Sequence, residues 1–277
     1  MTEATRSTFL RRKLGVKLRR MRELAGMTLE EAAPLLDKKR SALQRIEAGE
    51  TRADVHLVRT MMDEYNQYDP ELLDEVRQAN ETPWYRVLGI KHAGYLDLET
   101  EASQVSQFLL IEIPGLLQTR AYMQALFRAF HRPGSIETST QARSLRQERL
   151  TSEDKPLKLH TIVCEAALRR RFADPMLMQE QLQHLITMAA LPTVTLQVLE
   201  LSGSTYLPNA PFTLLTYPDP DDQDILYLEY PTGYLQIENS KQVEDARLVL
   251  EQLHIDALSP ADSVALIDEL ARNQPWN

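Results

Sequence analysis

The chain has 277 residues, 43% of them apolar, and a formal charge of −9; that leaves room for two domains and enough apolar matter for packed cores. No apolar run approaches the roughly 18–20 residues that span a bilayer, which excludes a membrane-embedded class. A single cysteine, Cys164, excludes a disulfide framework and fits a reducing cytoplasm.

The first residues, "MTEATRSTFLRRKLG", have neither an apolar core nor a small-residue cleavage site, so no signal peptide is read. Charge is unevenly spread. Residues 1–60 hold fourteen Lys/Arg against eight Asp/Glu, a balance of +6; the rest of the chain stands at −15. A basic head can approach a polyanion that an acidic body will not. The other reading of the charge alone is a surface helix that happens to be basic.

Within the head, Leu10, Leu14, Leu18, Met21 and Leu24 form one helical stripe over 9–25, stopped by Gly26. "TLEE" at 28–31 is a capping box, Thr28 with Glu31, and opens a second helix to about Leu36 with Leu29, Ala32, Ala33 and Leu36 inward. Asp37 sits in the turn, where Asp tolerates a left-handed backbone. The third helix carries Leu43 and Ile46 inward, with Lys39, Arg40, Ser41, Gln44 and Arg45 outward or at its N-terminal end; Gly49 closes it. A fourth runs Val55–Tyr65, and Asp69-Pro70 starts a fifth with Leu72, Leu73, Val76 and Ala79 as its apolar side.

Two short helices, a tight turn and a polar outer face on the second define a helix-turn-helix, whose recognition helix meets bases by its N-terminal end. Cations belong there, and Arg and Gln have the fork geometry for guanine and adenine. Residues 14–66, through "LGVKLRRMRELAGMTLEEAA" and "RSALQRIEAGE", resemble the XRE-type helix-turn-helix of lambdoid phage repressors, which implies a lambda-repressor-like, all-α domain of five helices. The resemblance implies that double-stranded DNA is contacted by Thr28, Lys38, Lys39, Arg40, Ser41, Gln44, Arg45 and Arg52. It also implies a structural ion pair between Arg22 and Glu47. Two positions depart from the family: Leu29 stands where a phosphate-contacting Gln is common, leaving Thr28 as a weak replacement, and Asp37 replaces the turn Gly.

Beyond the head, residues 81–95 read as a connector, rich in aromatics and ended by Thr82-Pro83 on its near side. The body, 96–277, begins with a helix near 96–103, a strand over 105–113, a helix from Thr119 to Phe130, a turn at "HRPGS", a charged helix 138–151, a strand in "LKLHTIVCEAAL", and a helix from Asp174-Pro175 to about Ala190. Then the period changes to two. "TVTLQVLEL", "PFTLLTYP", "ILYLEYP" and "GYLQIE" read as consecutive antiparallel strands, followed by helices 240–258 and 260–271. The expected fold is an α+β domain with an antiparallel sheet covered by helices, after a helix-turn-helix domain in 1–80.

"EIPGLLQTRAYMQAL", "EAALRRRF", "LITMAALPTVTLQVL", "PFTLLTYPD" and "YLEYPTGYLQIE" resemble the antitoxin-like C-terminal domain of an actinobacterial group of XRE-type regulators that includes WhiJ-like members. That resemblance implies a transcriptional regulator in the cytoplasm, associated with the nucleoid, and often a small companion protein encoded beside it. A homodimer on a pseudo-palindrome is the expected assembly, with the body sensing a partner or small-molecule effector. The alternative is an antitoxin-like interaction protein whose DNA binding serves autoregulation.

Little else suggests chemistry. None of His56, His92, His131, His160, His184 and His254 stands at a metal-ligand spacing, and no Gly-rich phosphate loop is present, so no cofactor and no enzymatic activity are expected. His160 and Cys164 share a strand face, as a nucleophile pair or as two core residues. Arg169, Arg170 and Arg171 are a solvated helix end or an anchor for a partner or ligand. Tyr206, Tyr217, Tyr227, Tyr230 and Tyr234, with Phe212, are core residues or the lining of a pocket.

Overall fold

The computed structural model of the chain describes residues 8–90, 94–129, 135–170, 174–202 and 208–273. His92, His131, Arg171 and Tyr206, and most of the expected turn at "HRPGS", lie outside these. The chain forms two compact units, Met1–Glu101 and Ala102–Asn277.

Among the described residues the first unit has helices and no strands: α1 (Phe9–Leu24), α2 (Leu29–Leu35), α3 (Arg40–Glu47), α4 (Val55–Glu64), α5 (Glu71–Asn80), α6 (Trp84–Val87) and α7 (Gly94–Glu101). Thr8 caps α1 and Thr28 caps α2 through the full reciprocal box with Glu31. Asp54 caps α4 by accepting from the Leu57 N–H. Leu14, Leu18, Leu43, Ile46, Val58, Met61, Leu72 and Val76 share one core. Leu24 does not join it and is 69% exposed. At 3.6 residues per turn it stands roughly 80° around the helix from Leu14, off the edge of the buried stripe.

The stretch expected as a connector, 81–95, holds α6 and the first residues of α7 among its described residues. Trp84 Nε1 donates to Thr100 Oγ1 (3.0 Å) and the Tyr85 hydroxyl donates to Asp97 Oδ1 (2.9 Å). Asp97 Oδ2 accepts the Phe9 N–H at 2.6 Å, so a carboxylate from α7 sits at the positive end of α1. Burial raises the pKa of Asp97, against the hydrogen bonds from Phe9 and Tyr85.

The second unit is α+β. Its six-stranded sheet has the order β3-β2-β1-β4-β5-β6, from β1 (Gln104–Leu109), β2 (Lys158–Cys164), β3 (Val194–Leu199), β4 (Phe212–Thr216), β5 (Ile225–Tyr230) and β6 (Gly233–Ile237). The helices are α8 (Arg120–Ala129), α9 (Ile136–Glu148), α10 (Glu165–Arg169), α11 (Pro175–Ala189), α12 (Ser240–Asp256) and α13 (Pro260–Asn273). β4, β5 and β6 are the expected antiparallel meander, and β4 is antiparallel to β1. β3 departs from the expected run: it pairs in parallel with β2, which is parallel to β1. Helical crossovers explain this, because α8–α9 and α10–α11 return the chain to the end where the previous strand began. β3 ends at Leu199 and β4 begins at Phe212, so no short turn joins the two strands.

One sheet face, with Phe108, Ile162, Leu199, Phe212, Leu214 and Leu226, packs against Val243, Ala246, Leu250 and Leu253 of α12. Near β3, the fully buried Ser263 of α13 accepts the Val198 N–H at 2.9 Å. Gln181 of α11, also fully buried, accepts the Thr119 N–H (2.8 Å) and donates to Leu117 O (2.7 Å), which fixes the "IPGLLQT" turn.

Replacing Gln181 by Leu leaves the half-buried Thr119 N–H and the buried Leu117 carbonyl without these partners. The cost should be roughly 1–3 kcal/mol for each, read as faster hydrogen exchange of the β1 and β2 amides in the full chain.

Burial lowers the pKa of His160, His184 and His254. The folded unit therefore takes up protons at lower pH than the unfolded chain, whose histidines titrate near ~6.5. Its stability is present above that pH and is lost as pH falls through the depressed folded values. Exchange protection of β1 and β2 should drop as pH falls below about 6.5, and less steeply in His160→Gln.

Candidate nucleic-acid interface

The geometry of α3 begins with two turns. Gly26 takes φ +71° after α1 and Asp37 takes φ +51° after α2, so Asp37 supplies the left-handed residue a glycine would otherwise provide. Lys38 N–H closes that turn on Ala33 O at 2.9 Å. Lys39 is then the N-cap of α3, with no side-chain capping bond.

Lys38, Lys39, Arg40, Ser41, Gln44 and Arg45 are all exposed, while Leu43, Ile46 and Glu47 are buried. One helix thus presents a continuous polar, cationic face around its N-terminal end. Two of its cations have intramolecular partners: Arg40 pairs with Glu30 of α2, and Arg45 Nε lies 3.4 Å from Glu50. Both are exposed pairs that solvent screens, so a phosphate or a guanine edge can displace the carboxylates. Arg52 is exposed in the loop before α4. Thr28 is less available than its position suggests. Its one hydroxyl proton goes to Glu31 Oε2 at 2.8 Å, which leaves no donor for a phosphate.

The orientation of α3 is set from α1. Arg22 and Glu47 are each only 6% exposed. Arg22 Nε and Nη2 donate to the two Glu47 oxygens at 2.7 and 2.8 Å, and Arg22 Nη1 donates to Met27 O at 2.7 Å. The hydrogen bonds that Arg22 donates to Glu47 raise its pKa in spite of burial. The Tyr65 hydroxyl lies beside this pair without a hydrogen-bond partner among the described residues; burial and then the Glu47 charge push it up to about 12.

A second contact works with the pair. A Cβ on Gly15 would lie 2.5 Å from Glu47 O, and one on Gly49 (φ +69°) 2.7 Å from Arg11 O. Only glycines let α1 lie this close to the end of α3. Gly15 lies inside α1, and the backbone it meets is thirty-odd residues away in the sequence.

The remaining candidates are scattered over the second unit. Arg169 is committed to Glu165 at 2.5 Å, and Glu165 also accepts the Leu201 N–H (2.9 Å). Arg170 donates to Ile111 O at 3.3 Å. His160 and Cys164 stand about 13 Å apart along β2 at ~3.3 Å per residue, and the His160 ring faces His254 instead, 6.2 Å between centroids. His254 Nδ1 is bonded to Gln197 Oε1. Of the aromatics, Tyr227 stacks on Tyr234 (5.2 Å), but its register partner is Thr213, so Phe212 lies on the opposite sheet face; these residues do not line one pocket. Among the described residues no group of three His, Cys, Asp or Glu is placed to hold a metal ion, and no helix is long and apolar enough to cross a membrane.

A tight turn between two short helices, and a second helix that shows its cations outward, define a helix-turn-helix protein of the DNA-binding regulator class. A family model described as a helix-turn-helix domain matches residues 13–76. Another, described as a domain of unknown function (DUF5753), matches residues 93–269, more than half of the chain, and the chain belongs to that family. No curated protein and no solved structure matches it.

Removing one member of a buried pair strands the other charge. Glu47→Ala should cost roughly 3–5 kcal/mol in the first unit, measured by hydrogen exchange of the α1 and α3 amides.

Proposed function

We propose that the chain is a sequence-specific transcriptional regulator of the XRE type that reads the major groove with α3. The observation that carries this is the exposed face of α3, with Lys39, Arg40, Ser41, Gln44 and Arg45 presented around an N-terminal end whose position Arg22–Glu47 holds. Lys38 and Arg52 flank that face as phosphate contacts. The protein acts as a homodimer on a pseudo-palindromic operator with half-sites one helical turn, ~10 base pairs, or a multiple apart. It works on the nucleoid in the cytoplasm, and the reading assigns it no catalytic step.

The body is the regulatory part, which receives a small companion protein or a small-molecule effector and resembles the antitoxin-like domain of actinobacterial, WhiJ-like regulators. The balance of +6 in residues 1–60 and −15 in the remainder supports that division, since only the head is charged to approach DNA.

The test is selection of genomic fragments by the purified full chain, followed by sequencing, beside Arg45→Ala. A palindromic site should be enriched. The variant should lose about 1–3 kcal/mol on that site and relax preference at one position per half-site. Equal loss on every sequence would contradict the assignment of Arg45 to base reading, and no enrichment by the wild-type chain would contradict the reading as a whole.

A further inference from the structure

Three parts of the helical unit converge beside the first turn of α1. Gly49 lies against the Arg11 carbonyl, and three residues on the chain presents Arg52, exposed. On another side Asp97 receives both the Phe9 N–H and the Tyr85 hydroxyl. That ties α6 to the start of α1 and sets Arg86, the residue after Tyr85, near Arg11. Arg52 and Arg86 are each close enough to act on Arg11: partial burial lowers its pKa, and repulsion by Arg52 and then Arg86 lowers it further.

Among the described residues little compensates this charge. Asp97 is the carboxylate that acts on Arg11, and both its oxygens are already engaged. Arg11 Nε donates to Thr8 Oγ1 at 3.3 Å. Among the described residues neither Arg52 nor Arg86 has a carboxylate within ion-pair distance, and Arg86 Nε is buried with no hydrogen-bond partner. Like charges gathered in this way raise the free energy of the free protein, and a polyanion relieves it.

Position gives the polyanion a place. α3 advances about 12 Å over its eight residues, close to the ~12 Å width of the major groove. With its N-terminal end among the bases, the loop beyond its C-terminal end stands over a flanking strand. Arg52 lies in that loop, the Arg11 backbone lies against its Gly49, and Arg86 acts on Arg11 from α6.

We propose that Arg11, Arg52 and Arg86 form a clamp for backbone phosphates flanking the bases that α3 reads. This rests on the DNA-binding reading above and goes beyond it. Arg86 falls in neither matched segment and Arg11 precedes both, so two of the three contacts come from outside the helix-turn-helix domain. The clamp adds affinity and register without sequence preference, and guanidiniums suit it because each binds a phosphate by two parallel hydrogen bonds.

The test is anisotropy titration of the full chain against two labelled duplexes, each roughly three helical turns long. One carries the selected site and the other a random sequence, and both are titrated over a series of salt concentrations. Arg52→Gln and Arg86→Gln should each make the slope of log K against log salt shallower by about 0.9 on both duplexes, and the double variant by about twice that. Arg86→Lys keeps the charge and should keep most of the slope. Arg45→Ala should instead reduce the ratio of the two affinities.

Wild-type slopes in Arg52→Gln and Arg86→Gln, with Arg45→Ala still losing discrimination, would overturn the clamp and leave the DNA reading intact. No binding of either duplex by the wild-type chain would overturn both. Should Arg86→Gln fail to fold by circular dichroism, Arg11→Gln decides in its place: a slope shallower by about 0.9 on both duplexes supports the clamp and a wild-type slope overturns it.

Discussion

The buried bond between Arg22 and Glu47 is the constraint on which the outward face of the helical unit depends. Taking a guanidinium and a carboxylate out of water costs several kcal/mol per ion unless geometry and further hydrogen bonds offset it. Here the two parallel bonds and the Met27 carbonyl do so. The arrangement tolerates few alternatives, because a shifted α3 would leave a buried charge without its partner. Gly15 and Gly49 act in the same direction by letting backbone meet backbone where any side chain would intrude. Ion pair and contact together locate α3 on α1, and the locations of Lys39, Arg40, Ser41, Gln44 and Arg45 follow.

The same first turn of α1 is held from a second direction. Asp97 is distant in sequence from Phe9, yet its carboxylate accepts that helix's first N–H. Asp97 belongs to α7, inside the segment matched by the DUF5753 family, while the compact unit that contains α7 is the helical one. The family boundary and the physical boundary therefore differ by one helix. The body's family contributes the carboxylate that holds the start of the head's first helix.

Much of this was legible in the sequence because its signals are local. The capping box at Thr28 and Glu31, the apolar stripes of α1, α3 and α4, and Asp69-Pro70 before α5 each act within one or two turns of chain. Leu24 was misplaced because a four-or-three spacing admits residues at the edge of a stripe, where packing and not periodicity decides. The place of β3 was illegible for a different reason. Alternation marks a strand but carries no information on its neighbour, and only the helical crossovers put β3 beside β2 in parallel. Arg22 and Glu47 were reachable through a resemblance alone, since nothing local joins residues that far apart. Asp97, Gly15 and the cluster of Arg11, Arg52 and Arg86 carried no such signal, and their roles come from tertiary approach.

The account holds that the buried pair serves orientation more than stability, and one double variant separates the two. Arg22→Met with Glu47→Leu removes both charges and fills the space with apolar side chains, an exchange that is often neutral or stabilising by about 1–4 kcal/mol. The measurement is the ratio of affinities for the selected site and a random duplex at fixed salt, on a variant shown by circular dichroism to be folded. The account predicts a folded protein whose random-duplex affinity is kept and whose ratio collapses, because α3 is no longer held in register with the bases. A folded double variant with the wild-type ratio would contradict it and would mean that the Gly15–Gly49 contact and the apolar core orient α3 without the pair.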